Sequence, residues 1–420
     1  MDIVTIAIFA AVLATISFEW VHRTKAALAG AGLVILIGAI DEEHAIESVE
    51  FGTLGLLAGM MLIVALTERT GVFTYLAVRA AQLSGGKSWR LVFLMAGVTG
   101  VLSAFLDNLT AILLIVPLTL LLADILRISA ISLVLIEVLA SNLGGAATLI
   151  GDPPNILIGS AVEELSFVDF IVNMAPVAFI SLFAVTGLLY LLLRSRLQIA
   201  PEAWVRIQQM HPERDLKNAP YLKRSLAVLA GTIVLFFVHA QLGLEPWVVA
   251  LAGATVLLLV AADDVEEALS KIEWSTLFFF MGLFVLVGAL VEQGVLERLS
   301  GVIADAGGGS TVTEGMIILW GAAAGSAIVD NIPFTTAMIP VAKELQAGKP
   351  FDDGLWWALA FGASFGGNAT VIAAAANVAA TGVLERAGKK VSFGQFLAIG
   401  LPATILSMLI ATAYLLLFQL

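Results

Sequence analysis

The sequence predicts an all-α, polytopic membrane protein, and its composition and residue pattern support that class. Hydrophobic residues make up 60% of the 420 residues, and charged residues make up only 13%. A soluble protein of this length needs about twice that share of charge to cover its surface. The apolar residues stand in long runs and do not alternate with polar ones, which indicates helices and not an outer-membrane barrel. These observations exclude a soluble enzyme.

Charge and cysteine content exclude several kinds of site. The formal net charge is −12, and the chain has no cysteine and four histidines. The lack of cysteine excludes disulfides, thiolate metal sites and cysteine nucleophiles. The histidines are scattered without ligand spacing, so neither a metal nor a cofactor is expected, and no nucleic-acid partner is expected either. No basic region precedes the apolar residues 2–18, so no cleavable signal peptide is expected.

Hydropathy predicts ten apolar spans and two further apolar stretches that Asp-Asn interrupts near the middle. The two interrupted stretches, about 91–126 and 311–345, could each be two full spans or one re-entrant hairpin, which enters and leaves the membrane on the same side. The ten predicted spans are about 2–20, 26–40, 51–66, 130–162, 168–193, 225–241, 246–261, 275–291, 355–384 and 394–418.

The distribution of lysine and arginine favours the hairpin option. With both stretches re-entrant and the N-terminus outside, all but three of the 21 basic residues fall on the cytoplasmic side. The exceptions are Arg298, Lys343 and Lys349. The sequence therefore predicts a multi-pass protein of the cytoplasmic (inner) membrane, with the N-terminus outside and the basic linker 194–224 in the cytoplasm.

The chain contains an internal duplication. Asp107-Asn108 recurs as Asp330-Asn331 at an offset of 223, and the segment Gly144–Ile150 recurs as Gly366–Ile372 at an offset of 222. Each half then has five full crossings and one hairpin. Because five is odd, the second half must be inverted relative to the first, as in many secondary transporters. The predicted units are a first inverted repeat at 1–193, the linker at 194–224 and a second inverted repeat at 225–420.

Polar and helix-breaking residues cluster in the spans 130–162 and 355–384. Glycine pairs and Pro-Pro inside an apolar run predict broken helices near the midplane, whose free carbonyls and helix ends can bind an ion or a polar solute. A structural kink packed by neighbouring helices is the alternative. Asp152, Pro153 and Pro154 of the first break become alanines in the second. The predicted solute-binding residues are Asn142, Gly144, Gly145, Thr148 and Asn155 in the first break and Ser364, Gly366, Gly367, Asn368, Thr370 and Asn377 in the second.

The predicted hairpin tips, Asp107–Thr110 and Asp330–Pro333, each begin with a carboxylate. A charged carboxylate at the centre of a membrane helix costs about 2.5–3.5 kcal/mol, so two matched acids at this depth indicate a proton or ion pathway. Capping of a helix N-terminus is an alternative role, compatible with the first. Asn108, Thr110 and Asn331 join the predicted solute-binding residues. The candidates for proton or ion coupling are Asp107, Asp330, Asp152 and Glu137.

The sequence carries no complete nucleotide-binding motif. Gly85–Ser88 resembles the end of a Walker A loop, but Ala81 stands where the motif needs glycine and no strand precedes it. We therefore expect a secondary transporter without an ATP site, and not an enzyme.

Two segments resemble a known family. Ser141–Asn155 (SNLGGAATLIGDPPN) and Asp107–Pro117 (DNLTAILLIVP) are similar to the arsenite-permease and sodium–proton antiporter group, ArsB/NhaD, of the ion transporter superfamily. The melanosomal P protein and the divalent-anion symporters are more distant relatives. The resemblance covers essentially the whole chain. It implies two inverted repeats, a scaffold domain that forms a homodimer, and a transport domain that moves like an elevator.

The hairpin tips argue against a dicarboxylate substrate. The divalent-anion symporters carry Ser-Asn-Thr at the tips, whereas the carboxylates of Asp107 and Asp330 would repel a dianion. The leading hypothesis is proton-coupled efflux of arsenite or antimonite, with the neutral hydroxide held by hydrogen bonds and the two acids exchanging protons. Membrane lipid is an expected partner, and the resemblance allows a soluble arsenite ATPase as another.

Three alternatives stay open. Sodium–proton antiport on the same scaffold would use the carboxylates alternately for sodium and for protons, and carbonyls of the breaks would complete the oxygen shell. A passive channel would need a continuous polar pore and no coupled proton. An intramembrane enzyme would need a nucleophile or metal constellation, and the sequence has neither.

Overall fold

The computed structural model describes residues 2–18, 20–214, 216, 219–261, 264–347 and 350–420. Across these ranges the chain forms α-helices, short 3-10 helices, turns and no strand. Asp215, Lys217 and Asn218 of the predicted linker lie outside the described residues, as does Lys349 of the charge analysis. The all-helical prediction is therefore confirmed for the described part of the chain.

Long apolar helices alternate with short connecting helices in the first half. Ser166 and Asp169 form a capping box at the start of the last of them, in which each side chain accepts a backbone N–H of the other residue. The helices are α1 (Asp2–Ser17), α2 (Arg23–Leu36), α3 (Glu42–Glu47), α4 (Phe51–Glu68), α5 (Val72–Leu83), α6 (Ser88–Leu106), α7 (Asn108–Leu126), α8 (Ala130–Gly145), α9 (Pro153–Ala161) and α10 (Phe167–Leu193).

The same order of long and short helices recurs after the linker helix α11 (Pro201–Gln208). Ser392 and Gln395 form the matching capping box at the start of the last helix. The helices are α12 (Ala219–Val238), α13 (Pro246–Ala261), α14 (Val265–Leu269), α15 (Trp274–Glu292), α16 (Val295–Gly307), α17 (Thr311–Val329), α18 (Asn331–Gln346), α19 (Asp353–Gly366), α20 (Ala375–Arg386) and α21 (Phe393–Phe418).

Eight helical segments of the described chain are long and apolar enough to cross a membrane. Most predicted spans agree with helices to within a few residues: α13 has the predicted bounds, and α10 begins one residue earlier than predicted. The short helices α3, α5, α14 and α16 were not predicted, because a search for long apolar runs does not detect short or amphipathic helices. Gly71 immediately precedes α5, and Gly294 immediately precedes α16. Their φ angles of 76° and 64° favour glycine.

A single residue joins the helices of each interrupted stretch. Asp107 links α6 to α7, and Asp330 links α17 to α18, with φ angles of 71° and 122°. Asp107 accepts from Leu109 N and Thr110 N, and Asp330 accepts from Ile332 N. Both acids therefore cap the following helix, which is the role that the sequence offered as an alternative.

The α6–α7 pair has its two outer ends beside the C-terminus of α10. Ile199 N donates to Ser88 Oγ at 3.3 Å, and Ser129 N donates to Arg196 O at 2.9 Å. The first residue of α6 and the residue before α8 thus lie against the chain that leaves α10.

The α17–α18 pair has its outer ends at the opposite end of the molecule. A Cβ on Gly315, in the first turns of α17, would lie 2.6 Å from Leu420. Gln419 in turn donates to Asn173 Oδ1, near the start of α10, at 2.7 Å. α10 and α21 are therefore antiparallel. The contacts at Asn173 and Arg196 are 23 residues apart, so the outer ends of the two pairs lie about 35 Å apart along α10.

Two glycines allow the halves to touch at matched positions. A Cβ on Gly59 of α4 would lie 2.7 Å from the backbone of Ala250 in α13, and one on Gly282 of α15 would lie 2.8 Å from the backbone of Ala27 in α2. Gly282 lies 223 residues after Gly59, and Ala250 lies 223 residues after Ala27. Such small residues let membrane helices pack backbone to backbone.

Candidate functional site

The site lies where the two helix breaks meet the two acidic helix junctions. α8 ends at Gly145 and α9 begins at Pro153, while α19 ends at Gly366 and α20 begins at Ala375. The intervening residues carry backbone groups that no α-helix satisfies, and the second break contains one 3-10 turn, Val371–Ala373. Buried backbone groups of this kind need other hydrogen-bond partners.

An asparagine satisfies the carbonyls of each break. Asn155 Nδ2 donates to Ala146 O at 3.0 Å and to Thr148 O at 2.8 Å. The matched Asn377 Nδ2 donates to Gly367 O at 2.7 Å and to Thr370 O at 2.8 Å. Each asparagine therefore holds the unwound segment of its own half against the second half-helix.

The threonines of the breaks tie the unwound segments to the neighbouring helices. Thr148 Oγ1 donates to Ala104 O of α6 in a short hydrogen bond, and Thr370 Oγ1 donates to Ala327 O of α17 at 2.8 Å. Each hydroxyl proton is thereby engaged. What the two hydroxyls can still offer a solute is an acceptor lone pair.

The predicted glycines of the breaks allow close backbone packing. A Cβ on Gly144 would lie 2.2 Å from Gly100 O of α6, and one on Gly366 would lie 2.5 Å from Ala323 O of α17. A Cβ on Gly145 would lie 2.4 Å from Gly151 O, whereas Gly367 is less crowded. Packing therefore explains three of the four glycines without any bound solute.

Buried amides connect the two halves at the centre of the site. Asn142 Nδ2 donates to Asn368 Oδ1 and to Asn377 Oδ1, both at 2.9 Å. Asn142 Oδ1 accepts from Asn108 Nδ2 at 3.2 Å, and Asn108 Nδ2 also donates to Asp152 Oδ1 at 2.9 Å. All five side chains are at most 4% exposed. We call these five residues the amide network.

The first acidic junction has its own hydrogen bonds beside this network. Asp107 Oδ2 accepts from Thr110 Oγ1 at 2.6 Å, and Ser141 Oγ donates to the backbone carbonyl of Asn108 at 3.1 Å. At the other junction, Asn331 Nδ2 faces Gly367, whose Cβ would lie 3.5 Å away. Both junctions thus lie against the breaks.

Two cavities reach the acidic junctions. One, of about 410 Å³, is lined by Asp330, Leu109, Arg23 and His22 among others. The other, of about 20 Å³, lies between Asp107, Asn108 and Asn331 and is also lined by Arg23 and Glu273. The smaller cavity has room for about one water-sized species.

Sequence reasoning missed two charged residues that face the junctions, Arg23 at the start of α2 and Glu273 immediately before α15. Arg23 Nη2 donates to Thr276 Oγ1 at 3.2 Å, which in turn donates to Glu273 Oε2 at 3.0 Å. Arg23 lies within electrostatic range of Asp330. The repeat could have identified Glu273 and Thr276, because both have counterparts 223 residues earlier, Glu50 and Thr53. The repeat does not identify Arg23, because the residue at the same offset of 223 in the other half is Pro246.

Glu137 stands apart from the amide network. It is fully buried on α8, and Glu137 Oε1 accepts from Thr119 Oγ1 of α7 at 2.9 Å. Within the described part of the chain, Glu137 Oε2 has no hydrogen-bond partner. The structure therefore separates this acid from the other three coupling candidates.

Comparison with known proteins places the chain in a family. The family model described as CitMHS, citrate transporter, matches residues 13–362. The chain is 39% identical over 422 residues to Uncharacterized transporter Rv2684 of Mycobacterium tuberculosis, which covers 99% of this chain and 98% of the relative. It is 33% identical to the human P protein, covering 98% of this chain and 59% of that protein.

A solved structure shares the fold. The YdaH transporter of Alcanivorax borkumensis aligns with a TM-score of 0.58 and 16% identity, covering 95% of this chain and 97% of that one. The all-helical transporter fold, the family model and the relatives agree. The chain therefore belongs to the CitMHS transporter family of the ion transporter superfamily, and it is a multi-pass membrane transporter and not an enzyme.

Proposed function

We propose that this transporter is a secondary active antiporter that exports a small solute in exchange for inward-moving protons. Arsenite or antimonite is the proposed cargo. The observation that carries the proposal is the position of Asp107 and Asp330, which line cavities beside buried amides that can hold a neutral hydroxylated solute. Protons taken up by the two acids would supply the coupling without ATP.

The charges around the cavities support a neutral or cationic cargo. Four carboxylates and one arginine, Arg23, line or adjoin the two cavities. The carboxylates are those of Asp107, Asp152, Asp330 and Glu273. This balance disfavours citrate, which the family description mentions, because a trianion would meet more negative than positive charge. Neutral arsenous acid meets no such penalty and can form hydrogen bonds with the Asn331 amide, which lines the small cavity.

The direction of access supports export. The larger cavity opens between the α1–α2 connection and the junction at Asp330. The charge distribution predicts that this connection, residues 21–25, lies in the cytoplasm. A solute would then enter the site from the cytoplasm in the conformation described here, which is the loading step of an efflux cycle.

We also propose that the two halves are inverted repeats and that transport involves an elevator movement. The arrangement of the helices supports both. The outer ends of α6–α7 and α17–α18 lie at opposite ends of the α10–α21 pair, yet Asn108 and Asn331 line the same small cavity. Two re-entrant hairpins that enter from opposite sides and meet at mid-depth would have this geometry. The small cavity also lies between α2, α4 and α15 on one side and the hairpins and breaks on the other, which is the boundary where sliding of a transport domain against a dimeric scaffold would occur.

Sodium–proton antiport is a second candidate, and a specific observation favours it. Several buried side-chain atoms have no hydrogen-bond partner among the described residues, and those near the two breaks are three oxygens, Asp152 Oδ2, Asn155 Oδ1 and Ser364 Oγ, and one nitrogen, Asn368 Nδ2. Oxygen ligands suit a hard cation such as sodium. The carboxylates would then alternate between sodium and protons.

Flux measurements in proteoliposomes test the proposal. Vesicles with purified protein are loaded with arsenite or with sodium, an inward proton gradient is imposed without ATP, and solute loss and lumenal pH are followed. We expect gradient-driven arsenite loss that falls at least tenfold in Asp107→Asn or Asp330→Asn. Asparagine keeps the helix cap and tolerates positive φ, so both variants should fold.

Asp124→Asn is the matched control, because Asp124 is an exposed carboxylate near the other end of the same helix as the Asp107 cap. Its transport rate should stay within twofold of the wild type. Sodium-dependent pH change without arsenite flux would reject arsenite as the cargo and favour sodium–proton antiport. Flux that is far faster and needs no proton would indicate a channel.

A further inference from the structure

We propose that His239 is a proton-binding site at the outer end of the protein, and that a proton bound there releases α10 from α12. The inference goes beyond the proposed function, because it concerns regulation and not the cargo or the acids that drive its transport. It rests on the proposed movement of the transport domain, and it follows from the hydrogen bonds of one imidazole ring.

Backbone groups engage both ring nitrogens of His239. Nδ1 lies 2.8 Å from Leu244 O, and Nε2 accepts from Phe167 N at 3.2 Å. A carbonyl oxygen can only accept and a backbone N–H can only donate, so Nδ1 carries the proton and Nε2 does not. The side chain of His239 is 6% exposed. The contact therefore selects the neutral imidazole.

A proton on Nε2 would break this contact. The protonated ring has a donor at each nitrogen, so its second N–H would point at the N–H of Phe167. Phe167 is the first residue of α10, and the start of a helix carries partial positive charge. An imidazolium would therefore lose its contact and also meet repulsion. Histidine is the side chain that takes up a proton between about pH 5 and 8.

Aromatic packing accompanies the hydrogen bond. The ring of Phe167 stacks on that of Phe236 with 5.2 Å between the centroids and meets that of Phe237 edge-on at 5.4 Å. Phe167 is 0% exposed. Its counterpart in the second half, Phe393, begins α21 after the same kind of capping box and is 53% exposed. Burial against α12 thus distinguishes the start of α10 from its counterpart.

The contact at His239 joins helices that pack in different parts of the molecule. α12 packs against α13 and α4, whereas α10 packs mainly against α21, α8 and α6. Tyr221 of α12 donates to Leu66 O of α4 at 2.9 Å, and Tyr414 of α21 donates to Asn173 Oδ1 of α10 at 3.1 Å. The contact therefore crosses the boundary along which we propose that the transport domain slides. Breaking it frees one end of α10 from the scaffold.

The charged groups on the surrounding elements are mostly acids. Asp169 on α10 accepts from Ser166, and Glu245 before α13 accepts from Trp247. Residues 161–170 and 236–248 contain no lysine or arginine. An opposite charge nearby favours a protonated ring, so these acids can accept the imidazolium once the contact is open. Further charged groups on the neighbouring elements are Glu163 and Glu164 before α10, Glu50 before α4, Asp353 on α19, and Lys343 on α18 within electrostatic range of Glu50.

Such a site suits a transporter that imports protons. The charge distribution predicts that the start of α10 lies outside, opposite the cytoplasmic linker. The contact would hold α10 when the outer side is alkaline and release it when protons are available there to drive exchange. Because a ligand that binds only the open form favours that form, acid shifts the equilibrium toward release.

Hydrogen–deuterium exchange of the purified full-length protein in detergent tests the release. Exchange of the backbone amides 166–170, corrected for the chemical rate at each pH, is compared at pH 8 and pH 5.5. We expect protection in the wild type to fall about tenfold in acid. His239→Gln should keep protection at both pH values, because its carboxamide oxygen can accept from Phe167 N and takes up no proton. His239→Phe has no acceptor and should show low protection at both.

His44→Gln is the control, since His44 is an exposed histidine near the same end of the molecule that bonds to Asp41. It should respond to pH as the wild type does. Equal protection of the wild type at both pH values would overturn the inference. So would an unchanged acid response in His239→Gln, or loss of the response in His44→Gln.

Flux in the proteoliposome assay adds a functional readout. With the outer side at pH 8, His239→Phe should transport at least twofold faster than the wild type. With the outer side at pH 5.5, His239→Gln should transport at least twofold more slowly. Wild-type rates in both variants would overturn the regulatory role. Because exchange is measured without cargo, an acid response that depends on His239, without any arsenite flux, would reject the proposed cargo and leave this site intact.

Discussion

Asn142 on α8 and Asn377 on α20 are 235 residues apart in sequence, yet Asn142 Nδ2 donates to Asn377 Oδ1 at 2.9 Å in the fully buried centre of the site. The bond joins Asn377, which donates to the carbonyls of the second break, to the last turn of α8. It therefore couples the conformations of the two breaks. A change in one break that moves Asn142 must also disturb the hydrogen bonds of the other.

Asn142→Ala should destabilise the protein strongly. The substitution leaves acceptors on Asn368 and Asn377 and a donor on Asn108 with fewer partners, and each stranded buried group costs about 1–3 kcal/mol. Thermal unfolding in detergent measures the effect. Asn173→Ala is the control, because Asn173 also makes three side-chain hydrogen bonds but is only partly buried, so water can replace them. Equal losses in the two variants would contradict the central role of Asn142.

Gly144→Ala should disrupt the packing of α8 against α6. The added Cβ would lie 2.2 Å from the carbonyl oxygen of Gly100, and backbone cannot move aside as a flexible side chain can. We expect a lower thermal midpoint and transport reduced at least tenfold. Gly97→Ala on α6 is the control, since its Cβ would meet nothing within 4 Å, and alanine should stabilise the helix by about 0.5–1 kcal/mol. A folded, fully active Gly144→Ala would show that the helices can separate at this point.

Glu137→Gln should leave proton coupling within about twofold of the wild type. Glu137 bonds to Thr119 and takes no part in the amide network, and glutamine can keep that bond as donor or acceptor. The measurement is proton-driven flux beside Asp107→Asn. A loss of coupling as large as in Asp107→Asn would return Glu137 to the proton pathway that the sequence predicted for it.

The sequence predicts most of the helices because apolar runs and breaking residues are local signals. The Gly-Gly pairs and Pro153 place the breaks, and the recurrence of Asp-Asn places both acidic junctions. Contacts between the halves could not be predicted in the same way. The pairing of Asn142 with Asn377 depends on how α8 packs against α20, and nothing in the local sequence encodes that partner.

Roles within the candidate site were harder to predict than its location. Gly144 and Gly366 stood out because two glycines interrupt an apolar run, but that signal does not distinguish a solute contact from close helix packing. Thr148 and Thr370 stood out as polar residues in a break, and their hydroxyls are used by carbonyls of α6 and α17. Side-chain partners that lie on other helices decide such roles, and they become visible only in the folded chain.

Arg23→Gln should change the pH dependence of transport. Arg23 lines the same cavity as Asp330 and is held by Thr276, so it places a positive charge beside a carboxylate that we propose carries a proton. A nearby positive charge favours the deprotonated form. Without it, Asp330 should release its proton less readily, so the pH at which flux is half-maximal should move upward, with a rate about tenfold lower at neutral pH.

Flux measured from pH 5.5 to 9 tests this, with Arg23→Lys expected to restore most of the wild-type profile because it keeps the charge. Lys25→Gln is the control, because Lys25 is the next basic residue on α2 and lines a different cavity from Asp330. An unchanged profile in Arg23→Gln would show that Asp330 exchanges its proton without help from Arg23, and equal shifts in the Arg23→Gln and Lys25→Gln variants would indicate a general effect of surface charge.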